Sequence, residues 1–160
     1  MMNVADVTIV RVFDAPRALV WRAFTDPDQL ARWWGPHGFT TPLAEFVPHV
    51  GAPLRLEMRD PDGVTVATIG EVIEVTEPSR LAFSTEAFHD ENGEPQLEGH
   101  VTVTFVEHED RTEVTVHSVL TKLGPGLEAA GAGMEQGWRE SLDKLAEDLR
   151  QTVLKMRHDT

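Results

Sequence analysis

The chain has 160 residues, 41% of them hydrophobic, with 27 acidic against 14 basic side chains and a formal net charge of −13. That length suits one domain with a substantial core, and no apolar run approaches the roughly 20 residues a membrane helix requires, so membrane insertion is not expected. The acidic balance repels phosphate backbones and excludes nucleic acid as a natural partner, while zero cysteines exclude disulfides, thiolate nucleophiles and cysteine metal sites.

The start, Met1 to Asp6, lacks the basic opening and apolar core of a signal peptide, so the cytoplasm is the expected compartment. Residues 7–13 are β-branched and read as a strand. Pro16 then opens a short helix over 16–25, because the amide proton proline lacks has no partner in a first turn. Asp26-Pro27 opens a second helix over 27–33, capped by Thr25 or Asp26, and Trp33-Trp34 lands just before the Gly35-Pro36 break. Three of the four tryptophans fall here and the fourth, Trp138, sits in a C-terminal helical pattern, which concentrates aromatic bulk where the two ends of the chain can meet.

A strand over 39–46 and a turn over 48–53 follow. Leu54, Leu56 and Met58 alternate with Arg55, Glu57 and Arg59, the pattern of a half-buried strand. After the turn at Asp60-Pro61-Asp62-Gly63, a long strand over 64–75 places Ala67, Ile69, Ile73 and Val75 on one face. Turns at 77–80 and 107–111 and a polar loop at 90–95 separate three more strands, with Val101, Val103 and Phe105 sharing one face and Val114, Val116 and Leu120 another. Successive strands on short turns make an antiparallel meander whose apolar face needs a cover. Met134, Trp138, Leu142, Leu145, Leu149 and Val153 form one helical stripe that supplies it, with Glu140 and Lys144 read as an i, i+4 pair on the outer side. The fold class is α+β: a single domain over 1–160, its core at 5–155, with a long helix laid over a curved sheet.

Gly137 lies inside the helical pattern, where it costs about 1 kcal/mol relative to alanine. Either it lets the helix approach the sheet closely, or it leaves space for a ligand between helix and sheet; a mostly apolar concavity is the usual small-molecule site.

The text Arg11 to Arg17, Val20 to Pro27, Trp33-Trp34-Gly35-Pro36 and Gly133 to Trp138, followed by Leu142 and Leu145, resembles the START/birch-pollen-allergen (SRPBCC, helix-grip) superfamily, and within it the AHSA-type branch named for activators of a heat-shock ATPase. The resemblance implies two short helices near the N-terminus and an apolar pocket between sheet and C-terminal helix. It implies no single chemistry, since members include lipid and hormone carriers, aromatic cyclases and chaperone activators. It also allows a homodimer. One departure is Gly51-Ala52, where the family often carries two adjacent glycines.

The expected partner is a small hydrophobic or amphipathic molecule. The residues expected to bind it are Trp33, Trp34, Phe39, Met58, Ile69, Phe83, Val103, Phe105, Val116, Met134, Trp138 and Leu142, aromatic and methionine side chains giving large adaptable contact area. The catalytic candidates are Glu71 and His37. On simple alternation Glu71 faces inward, where an apolar setting would raise its pKa and fit it for general acid or base work; a bulge or twist near Gly70 would turn it outward. His37 follows the tryptophan pair, near one mouth of the cavity or capping local backbone. His100 and His117 read as solvent-facing. No histidine spacing suits a metal, no base partner accompanies Ser84, Thr85 or Ser118, and no cofactor is expected. Three functions compete: non-catalytic binding, a cavity enzyme of cyclase, dehydratase or hydrolase type using Glu71 or His37, and a co-chaperone.

Overall fold

The structure, a computed structural model, describes residues 4–158. In chain order the elements are β1 (Ala5–Phe13), α1 (Arg17–Thr25), α2 (Pro27–Trp33), β2 (Thr40–Glu45), β3 (Pro53–Arg59), β4 (Thr65–Thr76), β5 (Arg80–His89), β6 (Pro95–His108), β7 (Arg111–Leu123), α3 (Glu128–Ala132) and α4 (Met134–His158). The strands form one seven-stranded antiparallel sheet in the order β1-β7-β6-β5-β4-β3-β2. Every neighbour except β1 on β7 is a hairpin or meander neighbour in sequence, as short turns dictate.

Asp26 caps α2, its Oδ1 accepting from the amides of Asp28 (2.9 Å) and Gln29 (3.4 Å), while the Thr25 hydroxyl turns back to the Trp21 carbonyl. The turn at Gly51-Ala52 needs only its first glycine: Gly51 adopts φ +89°, and Ala52 donates its amide to the His49 carbonyl. The α4 stripe of Trp138, Leu142, Leu145 and Leu149 is buried, with Met134 and Val153 packed against the same core. Glu140 and Lys144, however, do not pair with each other; both reach to the loop after α2. Among the described residues no helix is long and apolar enough to cross a membrane.

One correction concerns β4. Val72 is wholly buried opposite Phe83, whereas Ile73 is 52% exposed. The β4–β5 register slips by one residue between Val72 and Glu74, so Val75 packs inward, but counting back from it by twos gives the wrong face. Val66, Thr68 and Val72 therefore point inward, and Ile69 and Glu71 point to the opposite face.

Inward-facing side chains change character along the sheet. At one end, Leu54 and Leu56 of β3, Val72, Leu81 and Phe83, Val103 and Phe105, and Val114 and Val116 are closed over by Trp21, Phe24 and Trp33 of the short helices and by the later turns of α4. At the other end, the same face is left open beneath the first turns of α4.

Candidate functional site

A cavity of about 470 Å³ occupies that open end. Its sheet wall comprises Met58 of β3, Val66 and Thr68 of β4, Thr85 and Ala87 of β5, Leu97 and Val101 of β6, and Ser118 and Leu120 of β7. The register places Met58 opposite Val66, Thr68 opposite Ala87, Ala87 opposite Leu97, and Val101 opposite Ser118, so the wall is continuous across five strands. Met134, Gly137, Trp138 and Ser141 of α4 form the roof, Ala129 and Ala130 of α3 the end, and Trp34, Gly35, Pro36 and Phe39 the remaining side. Phe88, 38% exposed and held at φ +55°, stands at the rim.

The adjacent tryptophans part company. Trp33 ends α2 and is fully buried, its ring 4.7 Å from that of Phe24 and its indole N–H on the Ala23 carbonyl at 2.9 Å. Trp34 is already extended (ψ 132°), which swings its ring to the cavity, edge-on to Trp138 at 5.3 Å. The loop carrying Trp34 to Phe39 is tied to α4 at two points. Glu140 Oε1 accepts the His37 amide at 3.0 Å, and Lys144 Nζ donates to the carbonyls of Gly35 (3.0 Å), Phe39 (3.2 Å) and Pro36 (3.5 Å). Burial lowers the Lys144 pKa from its ordinary 10.5.

Of the residues expected to bind a ligand, Trp34, Phe39, Met58, Met134 and Trp138 come together around the cavity. Trp33, Phe83, Val103, Phe105, Val116 and Leu142 lie on the inner side but are consumed by the packed end of the core. Ile69 and Glu71 line a separate groove on the outer face of the sheet, with Glu45, Arg55 and Glu86. His37 is outside too, its side chain 58% exposed and its Nε2 3.6 Å from Asp143. Neither catalytic candidate reaches a molecule in the cavity, whose lining carries hydroxyls and indoles but no carboxylate or imidazole. His117 pairs with Asp6 at 2.7 Å on the outer face. Among the described residues no group of three or more His, Asp and Glu is placed to hold a metal.

Sequence reasoning missed Thr68, Thr85 and Ala87. The alternation Leu81, Phe83, Thr85, Ala87 along β5 carried the signal for two of them, since residues two apart share a face. Gly137 is resolved as well: a Cβ there would meet only Pro36, at 3.7 Å, so the glycine leaves space rather than permitting a close approach.

A curved antiparallel sheet, two short helices and a long C-terminal helix roofing an apolar cavity define the helix-grip class. Within it, the chain belongs to the family described as Activator of Hsp90 ATPase homolog 1-like protein, which matches residues 14–150. A solved protein from Arthrobacter aurescens is 32% identical, with a TM-score of 0.77 over 91% of this chain and 86% of that one. The AHSA1 protein from Silicibacter pomeroyi is 25% identical, with a TM-score of 0.75 over 92% and 99% of the two chains. A protein from Nitrosomonas europaea, 24% identical, shares the fold at a TM-score of 0.77 over 94% and 97%. No curated protein matches the chain at a significant level.

Proposed function

We propose that this chain is a non-catalytic binding protein that holds one small hydrophobic or amphipathic molecule between its sheet and the first turns of α4. The observation that carries this reading is the open space itself. Protein interiors close-pack, yet about 470 Å³ is left beside a well-packed core, within the size range of small-molecule sites. Trp34, Phe39, Met58, Met134 and Trp138 line it with aromatic and thioether surface. Glycine at 137 keeps the roof thin at a helical cost of about 1 kcal/mol.

The test is native mass spectrometry of protein purified from its own cells, with denatured protein as control. A small molecule retained by the native protein and lost from Gly137→Leu supports the reading. If nothing is retained and no apolar dye binds the purified protein, the reading fails. The family's description supplies a second reading, action on an Hsp90 ATPase; ATP turnover by Hsp90 with and without the chain tests it, and unchanged turnover removes it.

A further inference from the structure

The chemistry of the cavity wall narrows what it can hold. The chain is 26% charged, yet none of the residues lining the cavity carries a charge. An ion placed there loses water and gains no counter-charge. The wall is not purely hydrocarbon either. Ser141 donates its hydroxyl to the Gly137 carbonyl at 2.9 Å, and Ser118 turns its own toward the Met134 sulfur at 3.5 Å. Thr68 and Thr85 differ: both hydroxyls have no hydrogen-bond partner among the described residues.

The two threonines are neighbours. Thr68 stands opposite Ala87, so Thr85, two residues back along β5, shares the inner face diagonally, about 7–8 Å away. Ala87 beside them adds little bulk. In the loop wall, the indole N–H of Trp34 is buried with no acceptor in the described protein. Buried polar groups without a partner are rare in folded proteins, and that indole N–H is one of them; the two threonine hydroxyls are only half-buried and stay open to whatever fills the cavity.

Resting on the reading of the cavity as a binding site, we infer that its ligand is an uncharged, mostly hydrocarbon molecule bearing a hydroxyl or carbonyl oxygen, and that Thr68 and Thr85 are the residues that recognise this oxygen. The hydrocarbon body lies against Trp138, Met134 and Met58, and the oxygen faces the β4–β5 wall.

Four matched probes test this by calorimetric titration of the purified protein at neutral pH: naphthalene, 2-naphthol, 2-naphthoate and 2-naphthylmethylammonium. The expected order places 2-naphthol about tenfold tighter than naphthalene, and both ions weaker than naphthalene. In a Thr68→Val, Thr85→Val double variant, 2-naphthol falls to the affinity of naphthalene while naphthalene itself is unchanged, which also certifies the fold. If either ion binds as tightly as 2-naphthol, or the double variant leaves 2-naphthol unaffected, the inference is overturned and the container reading stands. If no probe binds, naphthalene included, the container reading falls and this inference with it.

Discussion

Lys144 extends from α4 to donate its Nζ to the Gly35 carbonyl at 3.0 Å, and the same ammonium also meets the carbonyls of Phe39 and Pro36. One side chain thereby reaches three backbone acceptors of the loop, of which the Pro36 carbonyl also accepts the Phe39 amide at 3.1 Å. The loop in turn carries Trp34, Pro36 and Phe39, so the shape of the cavity depends on a residue outside it. Lys144→Met removes a charge-assisted hydrogen-bond cluster and is expected to cost about 2 kcal/mol in urea denaturation, together with a loss of probe affinity. Lys144→Arg is not expected to rescue it, because a planar guanidinium fork does not converge on three carbonyls as an ammonium does.

The second tie gives the loop an acid limit. Glu140 is held below its ordinary 4.5, first by the hydrogen bond from Gln136 Nε2 and then by the His37 amide. A carboxylate whose folded pKa is depressed gives stability that is complete above 4.5 and lost as pH falls through the lowered value. Carboxyl NMR is expected to show Glu140 titrating below 4.5, with the His37 amide resonance moving in the same step. A Glu140→Gln variant should lack that step in the His37 signal.

The packed and open ends of the inner face respond differently to truncation. Phe105, 1% exposed and edge-on to both Trp21 and Phe24, belongs to the core, and Phe105→Ala is expected to cost about 3–5 kcal/mol. Met134 has the cavity on one side, so Met134→Ala is expected to cost less than about 2 kcal/mol while weakening probe binding. Urea denaturation and titration of both variants separate the two roles. Equal stability losses would mean that Met134 is ordinary core.

That contrast also marks what was legible in the sequence. The α4 stripe follows the helical period from Met134 to Val153 without interruption, and Asp26-Pro27 announces a capped helix, so both could be read directly. The inner faces of β6 and β7 were equally plain from Val101, Val103 and Phe105 and from Val114 and Val116. Depth along those strands was not. Val101 and Val103 have the same residue type and face and both belong to the core, yet only Val101 also borders the cavity, a difference of position along the strand that alternation does not encode. On β4 the failure was of parity, since one extra residue between Val72 and Glu74 reverses everything before it and alternation alone does not reveal the bulge. Thr68 fell on the outer face by the same miscount, and Thr85 was weighed only for a base partner, not as part of a cavity wall.

Gly137 offers a gain of stability at the site's expense. A Cβ meets only Pro36 Cγ at 3.7 Å, an ordinary contact, so Gly137→Ala is expected to stabilise the protein by about 1 kcal/mol through helix propensity. The same methyl enters the cavity, so probe affinity is expected to fall modestly, and Gly137→Leu is expected to abolish it. A destabilised Gly137→Ala would show that the helix needs the glycine for packing after all.

Phe88 combines two features that meet at the cavity rim. Its φ of +55° is a left-handed conformation that a bulky side chain adopts at a cost of about 1–2 kcal/mol, and its ring is 38% exposed while lining the cavity. An aromatic held there against its backbone preference narrows the way in. Asparagine tolerates the left-handed region, so Phe88→Asn is expected to keep or raise stability while removing the ring. Stopped-flow binding of 2-naphthol should then show association and dissociation both accelerated several-fold, with the dissociation constant changed less than either rate. Unchanged rates would mean that Phe88 does not stand on the route to the cavity.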